Sequence, residues 1–253
     1  AAAGNITNLT SFTNDATLTN SSTIDLLASL TERWSLNEAS GTRVASITTP
    51  GNDLTDNNTV LAATGKLGDA ADFEDATTES LSVADNADVS FNGTSWTWAG
   101  WVQFESRLAH QALVSKRGTT NETQEMILFR QHSSDKFKLT ISNGAGVHSE
   151  LFADTPTPLS NATWYFVVIG VDTAAAEVYI VINNGTLYTL GSIITISATS
   201  QVFELGGNVG LGWWHDGLMD EPIKWNKWLS SAERTDAYNG GTGKAWPFVP
   251  DSV

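Results

Sequence analysis

Where this chain could do chemistry, its residue types favour holding a ligand over transforming one. The stretch Gly210-Leu211-Gly212-Trp213-Trp214-His215-Asp216-Gly217 sets two indoles, an imidazole and a carboxylate between glycines. Flat pyranose faces stack on exposed rings while nearby polar groups take the hydroxyls, so Trp213, Trp214, His215 and Asp216 form a candidate glycan-binding segment. One of the two indoles is expected to pack inward. Candidate catalysts are scarcer. Asp220 and Glu221 are adjacent, and neighbours on a strand point to opposite faces, so they cannot serve as a paired acid and base. The four histidines, His110, His132, His148 and His215, are dispersed without a His-x-x-x-His metal spacing and read as surface polar residues. Gly-x-Ser-x-Gly is absent and the chain has no cysteine, which removes serine-elbow, thiolate and Cys-zinc chemistry together. An enzyme is therefore not expected.

These residues lie among short β-type runs separated by turn residues, the pattern of an antiparallel sandwich. The clearest strands cover residues 34–37, 70–74, 80–84, 95–104, 112–116, 125–130, 136–142, 164–171, 177–183, 186–190, 202–205 and 217–226. Asn143-Gly144 and Asn184-Gly185 each supply the two positive-φ residues of a tight type I′ hairpin. Ser230-Ser231-Ala232-Glu233 is a capping box, which predicts one short helix running to about Tyr238 and stopped by Asn239-Gly240-Gly241. Of the ten tryptophans, Trp34, Trp96, Trp98, Trp101 and Trp164 fall in strands and are expected in or beside the core. Trp225 and Trp228 are expected to dock the last strand and the helix.

With 253 residues, 41% of them hydrophobic, the chain can fill one sandwich core, expected over residues 32–253. Residues 1–31 are rich in Thr, Asn, Ser and Ala and carry too little apolar surface to fold alone. An extended N-terminal arm is expected there, resting on its own domain or on a neighbouring subunit. Thirteen Lys and Arg against 28 Asp and Glu give a net charge of −15, which repels phosphate backbones, so no nucleic-acid partner is expected. No apolar run reaches the roughly 18 residues of a bilayer span, so no membrane insertion is expected either.

Three segments stand in order along the chain. The first is Trp34-Ser35-Leu36-Asn37-Glu38 with Ser40-Gly41-Thr42. The second runs from Gly65-Lys66-Leu67-Gly68 through Ala71-Asp72-Phe73-Glu74 and Leu81-Ser82-Val83 to Trp96-Thr97-Trp98-Ala99-Gly100-Trp101-Val102. The third is Gly217-Leu218-Met219-Asp220-Glu221, followed by Trp225-Asn226, Leu229-Ser230 and Glu233. Together they resemble the LamG-like, or concanavalin A-like lectin/glucanase, jelly-roll domains of bacterial surface proteins and phages. The resemblance implies an all-β fold, an antiparallel two-sheet jelly roll with one short C-terminal helix. The sequence departs from that family at Pro222, where its strand is expected to meet an edge or a bulge, and at the heavy Trp213-Trp214-His215 loop.

The same resemblance implies a structural calcium site at Asp220, with Glu38 as a partner and Glu74 and Asp75 also available, because a hard cation takes several oxygens. Asp220 capping a turn through backbone N–H groups is the alternative. Hydrolases on this fold place their carboxylates at alternating positions of one strand, and no Glu-x-Asp-x-x-Glu run occurs here. The function expected is a non-catalytic, glycan-binding recognition or adhesion module at an extracellular, cell or virion surface. The alternative is a structural capsid decoration or fibre protein in which residues 1–31 drive self-association or hold capsid partners. A polysaccharide-degrading enzyme ranks third.

Overall fold

A computed structural model of the chain describes residues 25–47, 51–153 and 159–248. In chain order its strands are β1 (Leu30–Arg33), β2 (Thr55–Asn57), β3 (Leu61–Thr64), β4 (Asp69–Phe73), β5 (Ser80–Val83), β6 (Trp96–Phe104), β7 (Gln111–Arg117), β8 (Gln124–Gln131) and β9 (Lys136–Ser142). There follow β10 (His148–Phe152), β11 (Trp164–Asp172), β12 (Glu177–Ile182), β13 (Leu187–Gly191), β14 (Phe203–Leu205), β15 (Gly207–Asn208), β16 (Trp213–Trp214), β17 (Gly217–Trp225) and helix α1 (Ser231–Tyr238). They build the jelly-roll sandwich of two antiparallel sheets. The larger sheet runs β13-β12-β11-β6-β17-β4-β3, with β1 also paired to β17. The smaller runs β10-β9-β8-β7-β14-β5-β2, and β15 with β16 forms a separate ribbon.

Alternation along the strands sets the layers. Trp96, Trp98, Val102 and Phe104 of β6, with Val167, Ile169 and Val171 of β11, meet Met126, Leu128, Phe137 and Leu139 of the smaller sheet in the main core. The outward residues of the larger sheet are apolar too. Ala99, Trp101, Phe166, Val168, Ile223 and Trp225 form a second cluster that also takes in Leu26, Leu229, Ala237 and Phe248. The larger sheet is thus covered on both faces, and strands buried on both faces become nearly continuous apolar runs. Trp228 stacks on Tyr179 at 4.2 Å, and any side chain at Gly170 would meet its ring at 2.5 Å.

β17 pairs with β6 on one side and, on the other, first with β4 and then with β1. The handover falls at a bulge between Asp220 and Ile223, with Glu221 at φ +50°. Pro222 sits inside that bulge, where its missing N–H breaks no ladder bond. A bulge in a central strand, rather than an edge, accommodates the proline. Glu221 turns onto Arg33 of β1, whose Nε and Nη2 donate to it at 2.7 and 2.5 Å.

The C-terminal helix is capped as its sequence predicts: Ser230 Oγ accepts from Glu233 N at 3.3 Å, Glu233 accepts from Ser230 N at 2.8 Å, and Asn239 takes φ +47°. The first strand lies earlier than expected, at β1, and Trp34 makes an isolated bridge to Ala45. Both hairpins form, but with different turns. Positive φ falls on Gly144 and Gly146 in the first, and on Asn183 and Asn184, one residue early, in the second. Residues 1–24 of the segment read as an arm lie outside the described residues. Residues 25–31 are built into the sandwich, since Leu26 joins the second cluster and its carbonyl accepts from Trp225 Nε1 at 2.8 Å.

Candidate functional site

The outer face of the smaller sheet is covered differently. On β8, Ile127 and Phe129 point away from the main core and join Ala112 of β7 in a small apolar cluster, against which Leu211 and Trp213 pack. The β15–β16 ribbon delivers Trp213. It is pinned by buried Asn208, which donates to Ser115 Oγ at 3.1 Å and Arg117 O at 2.9 Å while its Oδ1 accepts from Leu211 N at 2.9 Å. Gly206 at φ +73° and Gly212 at φ +65° make the turns that a side chain would resist. Trp213 lies 4.8 Å from the Phe129 ring and stacks on His110 at 4.6 Å and 27°. Trp214 covers Gly207, where an added Cβ would strike the indole at 2.6 Å. Both indoles are half-buried.

His215, expected at the surface and among the ligand contacts, is fully buried instead. It packs between the rings of Phe73 and Phe104, with Nδ1 3.2 Å from Gln111 Oε1 and Nε2 3.4 Å from Leu218 O. Burial pushes its pKa down to about 4, so the imidazole is neutral and joins the two sheets near the start of β17. Asp216 is half-buried, and its carbonyl accepts from Glu105 N at 2.9 Å.

Around Trp213 the structure gathers residues that the sequence gave no reason to group. His132 N donates to His110 Nδ1 at 3.3 Å, and His132 Nδ1 lies 3.3 Å from Arg107 O. Lys138 sits 5.7 Å from the Phe129 ring and 4.7 Å from that of Phe152, and pairs with Glu150 at 2.7 Å. Burial first, then His132, Arg130 and Lys138, hold the His110 pKa below the usual histidine value. Beside this group a shallow cavity of about 380 Å³ is lined by Arg107, Leu108, Arg130, His132, Asp135 and Asn161. Asp135 accepts from both arginines, at 2.7 Å from Arg130 Nε, and stands at φ +54° in the β8–β9 turn.

The residues proposed for calcium serve turns. Asp220 Oδ2 accepts from the amides of Lys66 and Leu67, each at 2.7 Å, and burial pushes its pKa up to about 7. A side chain at Gly65 would hit that oxygen at 2.8 Å. Glu38 Oε1 accepts from Val44 N at 2.8 Å. Asp220 Oδ1 and Glu38 Oε2 are buried without a hydrogen-bond partner, yet neither residue belongs to a group of three convergent ligands among the described residues. Asp72, Glu74 and Glu105 do form such a group, one oxygen from each lying within 4.8 Å of the others. Burial first raises all three pKa values; repulsion from Asp216 adds to each, and repulsion from Asp72 adds to those of Glu74 and Glu105. Register assembles them, because Phe73 and Phe104 both pair with Gly217. Glu74, read from the sequence as an available calcium ligand, belongs to this group, and the Asp72-Phe73-Glu74 spacing puts two of its carboxylates on one strand face.

The sequence model described as the concanavalin A-like lectin/glucanases superfamily matches residues 75–233. Among solved structures, domain 4 of AbnA, a GH43 extracellular arabinanase from Geobacillus stearothermophilus in complex with arabinotriose, is 18% identical, with a TM-score of 0.63 over 83% of this chain and 98% of that one. The binding domain of Paraclostridial Mosquitocidal Protein 1 is 13% identical, with a TM-score of 0.63 over 81% of this chain and 50% of that chain. The binding domain of Botulinum Neurotoxin DC, in complex with SialylT, is 12% identical, with a TM-score of 0.60 over 83% of this chain and 51% of that chain. The chain thus spans about half the length of these two toxin domains. At such identities the likeness is one of fold. No curated protein matches the chain in sequence.

Proposed function

The chain belongs to the concanavalin A-like lectin/glucanase superfamily, and from that premise we propose that it is a non-catalytic recognition module, acting outside the cell, that binds glycan beside the β15–β16 ribbon. The observation that carries this reading is Trp213, half-exposed yet backed by His110 and Phe129 on a ribbon with a buried anchor. A rigid, partly exposed ring costs little entropy on binding and offers the flat apolar surface that a sugar face needs. The arabinotriose held by the similar arabinanase domain supports a saccharide as ligand. Hydrolysis would need an acid and a nucleophile flanking the bound sugar, whereas the convergent carboxylates lie at the ends of β4 and β6, on the other sheet.

Titration with oligosaccharides, followed by tryptophan fluorescence and by chromatography of the sugar, tests both halves. Saturable binding with intact sugar is expected, and shortened products would defeat the non-catalytic half. The alternative, a structural capsid decoration or fibre protein, requires residues 1–31 to drive self-association or hold capsid partners. A protein that is monomeric both with and without residues 1–24 would rule out the self-association.

A second reading is favoured by one observation. The three oxygens of Asp72, Glu74 and Glu105 suit a hard cation, so calcium, if the protein takes it, belongs there rather than at Asp220 and Glu38.

A further inference from the structure

We propose that the ligand beside the ribbon is an anionic saccharide, its ring lying against Trp213 and His110 and its carboxylate or sulfate held in the adjoining cavity by Arg107 and His132. This rests on the glycan reading and narrows it to acidic sugars.

The aromatic group and the cavity are one continuous surface. His132 lines the cavity, and its backbone N–H donates to the ring of His110, which in turn stacks on Trp213. Arg107 is placed rather than loose: its Nε donates to Asn161 Oδ1 at 2.7 Å and its Nη1 to Asp135. Arg130, nearly fully buried, directs Nε at Asp135, Nη1 at Ala109 O and Nη2 at Arg107 O, at 2.7 to 2.8 Å. Arg130 therefore holds the 105–110 loop against the β8–β9 turn, with each of its three nitrogens engaged. Arg107 keeps Nη2 without a partner among the described residues, so it still has N–H groups for an incoming oxyanion.

Charge points the same way. The chain as a whole carries −15, yet here Arg107, Arg130 and Lys138 form ion pairs with only two acids among the described residues, Asp135 and Glu150, with two imidazoles beside them. A local excess of positive charge in an acidic protein acts over about one Debye length, roughly 10 Å at 0.1 M salt. A long polyanion would meet the repulsion of the remaining surface. A single acidic residue within a short saccharide would not. The aromatic rings supply the affinity that a solvent-screened salt contact alone lacks at an exposed site.

The test is calorimetric titration with trigalacturonate, its methyl ester, a sulfated disaccharide and arabinotriose at low and high salt. Trigalacturonate is expected to bind at least about tenfold more tightly than its ester, a gap that narrows with salt. The sulfated probe separates sulfate from carboxylate as the preferred anion. Arg107→Gln should bring the acid-over-ester ratio close to one. Because Arg107 is paired to Asp135, Leu108→Asp provides a second variant. Leu108 is 84% exposed, so the substitution should leave the fold intact while setting a like charge beside the cavity and lowering the same ratio. Equal affinity for acid and ester, or a ratio that neither folded variant changes, overturns the proposal while leaving the glycan reading standing. No binding by any of the four sugars defeats the glycan reading itself.

Discussion

The outer face of the larger sheet carries Trp101, Phe166, Val168 and Trp225 beneath Leu26, Leu229, Ala237 and Phe248, whereas the outer face of the smaller sheet has a patch of three residues beneath one ribbon. Elsewhere that second face presents Gln124, Thr140, Lys138 and Glu150. The strands obey one rule in both places. Outward positions are apolar beneath a continuous apolar cover and mixed with polar ones elsewhere, where Gln124, Thr140 and Lys138 are buried as well. Phe129 and Trp213 are the exception, an aromatic pair under a partial cover, and an exception of that kind marks a surface kept for something else.

The sharpest way to break this contrast is to remove one indole from each face. Trp225→Ala, at a fully buried ring whose Nε1 donates to Leu26 O, should cost about 3 to 5 kcal/mol in urea unfolding. Trp213→Ala should cost about 1 kcal/mol, since a half-buried ring leaves no closed cavity behind. Equal losses would mean that the ribbon is structural cover like any other.

Buried charge sharpens the contrast from the side of the larger sheet. The Asp220 carboxyl titrates at about 7 in the folded state against 3.8 as its ordinary value. The folded protein thus holds this proton more tightly than the unfolded chain, and the stability it lends is present below about pH 4 and drains away as pH rises toward 7. Asp220→Asn, which can still accept from the Lys66 and Leu67 amides, should match the parent protein near pH 4. Above pH 7 it should exceed the parent by on the order of 2 kcal/mol, as read from unfolding midpoints across that range. His215 runs with the opposite sign. Its folded pKa of about 4 lies under the ordinary 6.5, so its contribution is lost as pH falls through that window in parent and variant alike.

How far the sequence disclosed these arrangements depended on whether a feature was local. Alternation in β6, β8, β9 and β11 and the Ser230 to Glu233 capping box were legible because their causes lie within a few residues. β1 was not, because three of the four residues in Leu30-Thr31-Glu32-Arg33 are polar and Arg33 is buried through an ion pair with Glu221, 188 residues away. β3, Leu61-Ala62-Ala63-Thr64, is an edge strand with little side chain to bury. At the candidate site, Trp213 and Trp214 stood out by residue type. His215 reads as polar in any sequence, and only the packing of Phe73 and Phe104 around it makes it a core residue. Arg107 and His110 share the 105–110 loop, but Phe129 comes from β8 and Trp213 from the ribbon, so nothing short of the sheet register could have joined them.

Binding should divide the two ribbon indoles more finely than stability does. Trp213→Ala is expected to weaken saccharide binding at least about tenfold, or roughly 1.4 kcal/mol. Trp214→Ala, which uncovers Gly207, should lower stability more than affinity. If the two variants bind equally well, the stacking surface lies elsewhere.

The smallest effect concerns the rim of the larger sheet, where Asp72, Glu74 and Glu105 converge. The three carboxyls have pKa values raised first by burial and then by neighbouring acids, and a divalent cation offsets both effects while displacing the protons they retain. Calcium at several times its Kd should therefore stabilise the protein by about 1 kcal/mol, a rise in Tm of roughly 2 °C for a chain of this size, and a chelator should reverse it. The rise should shrink as pH falls, since protonated carboxyls are poor ligands. Glu105→Gln should abolish it and Glu38→Gln should not, because Glu38 already caps the amide of Val44. A calcium shift that survives Glu105→Gln but disappears with Glu38→Gln would return the cation to the turn beside Asp220 and leave the three acids as a repulsive cluster that the rim tolerates because water screens it.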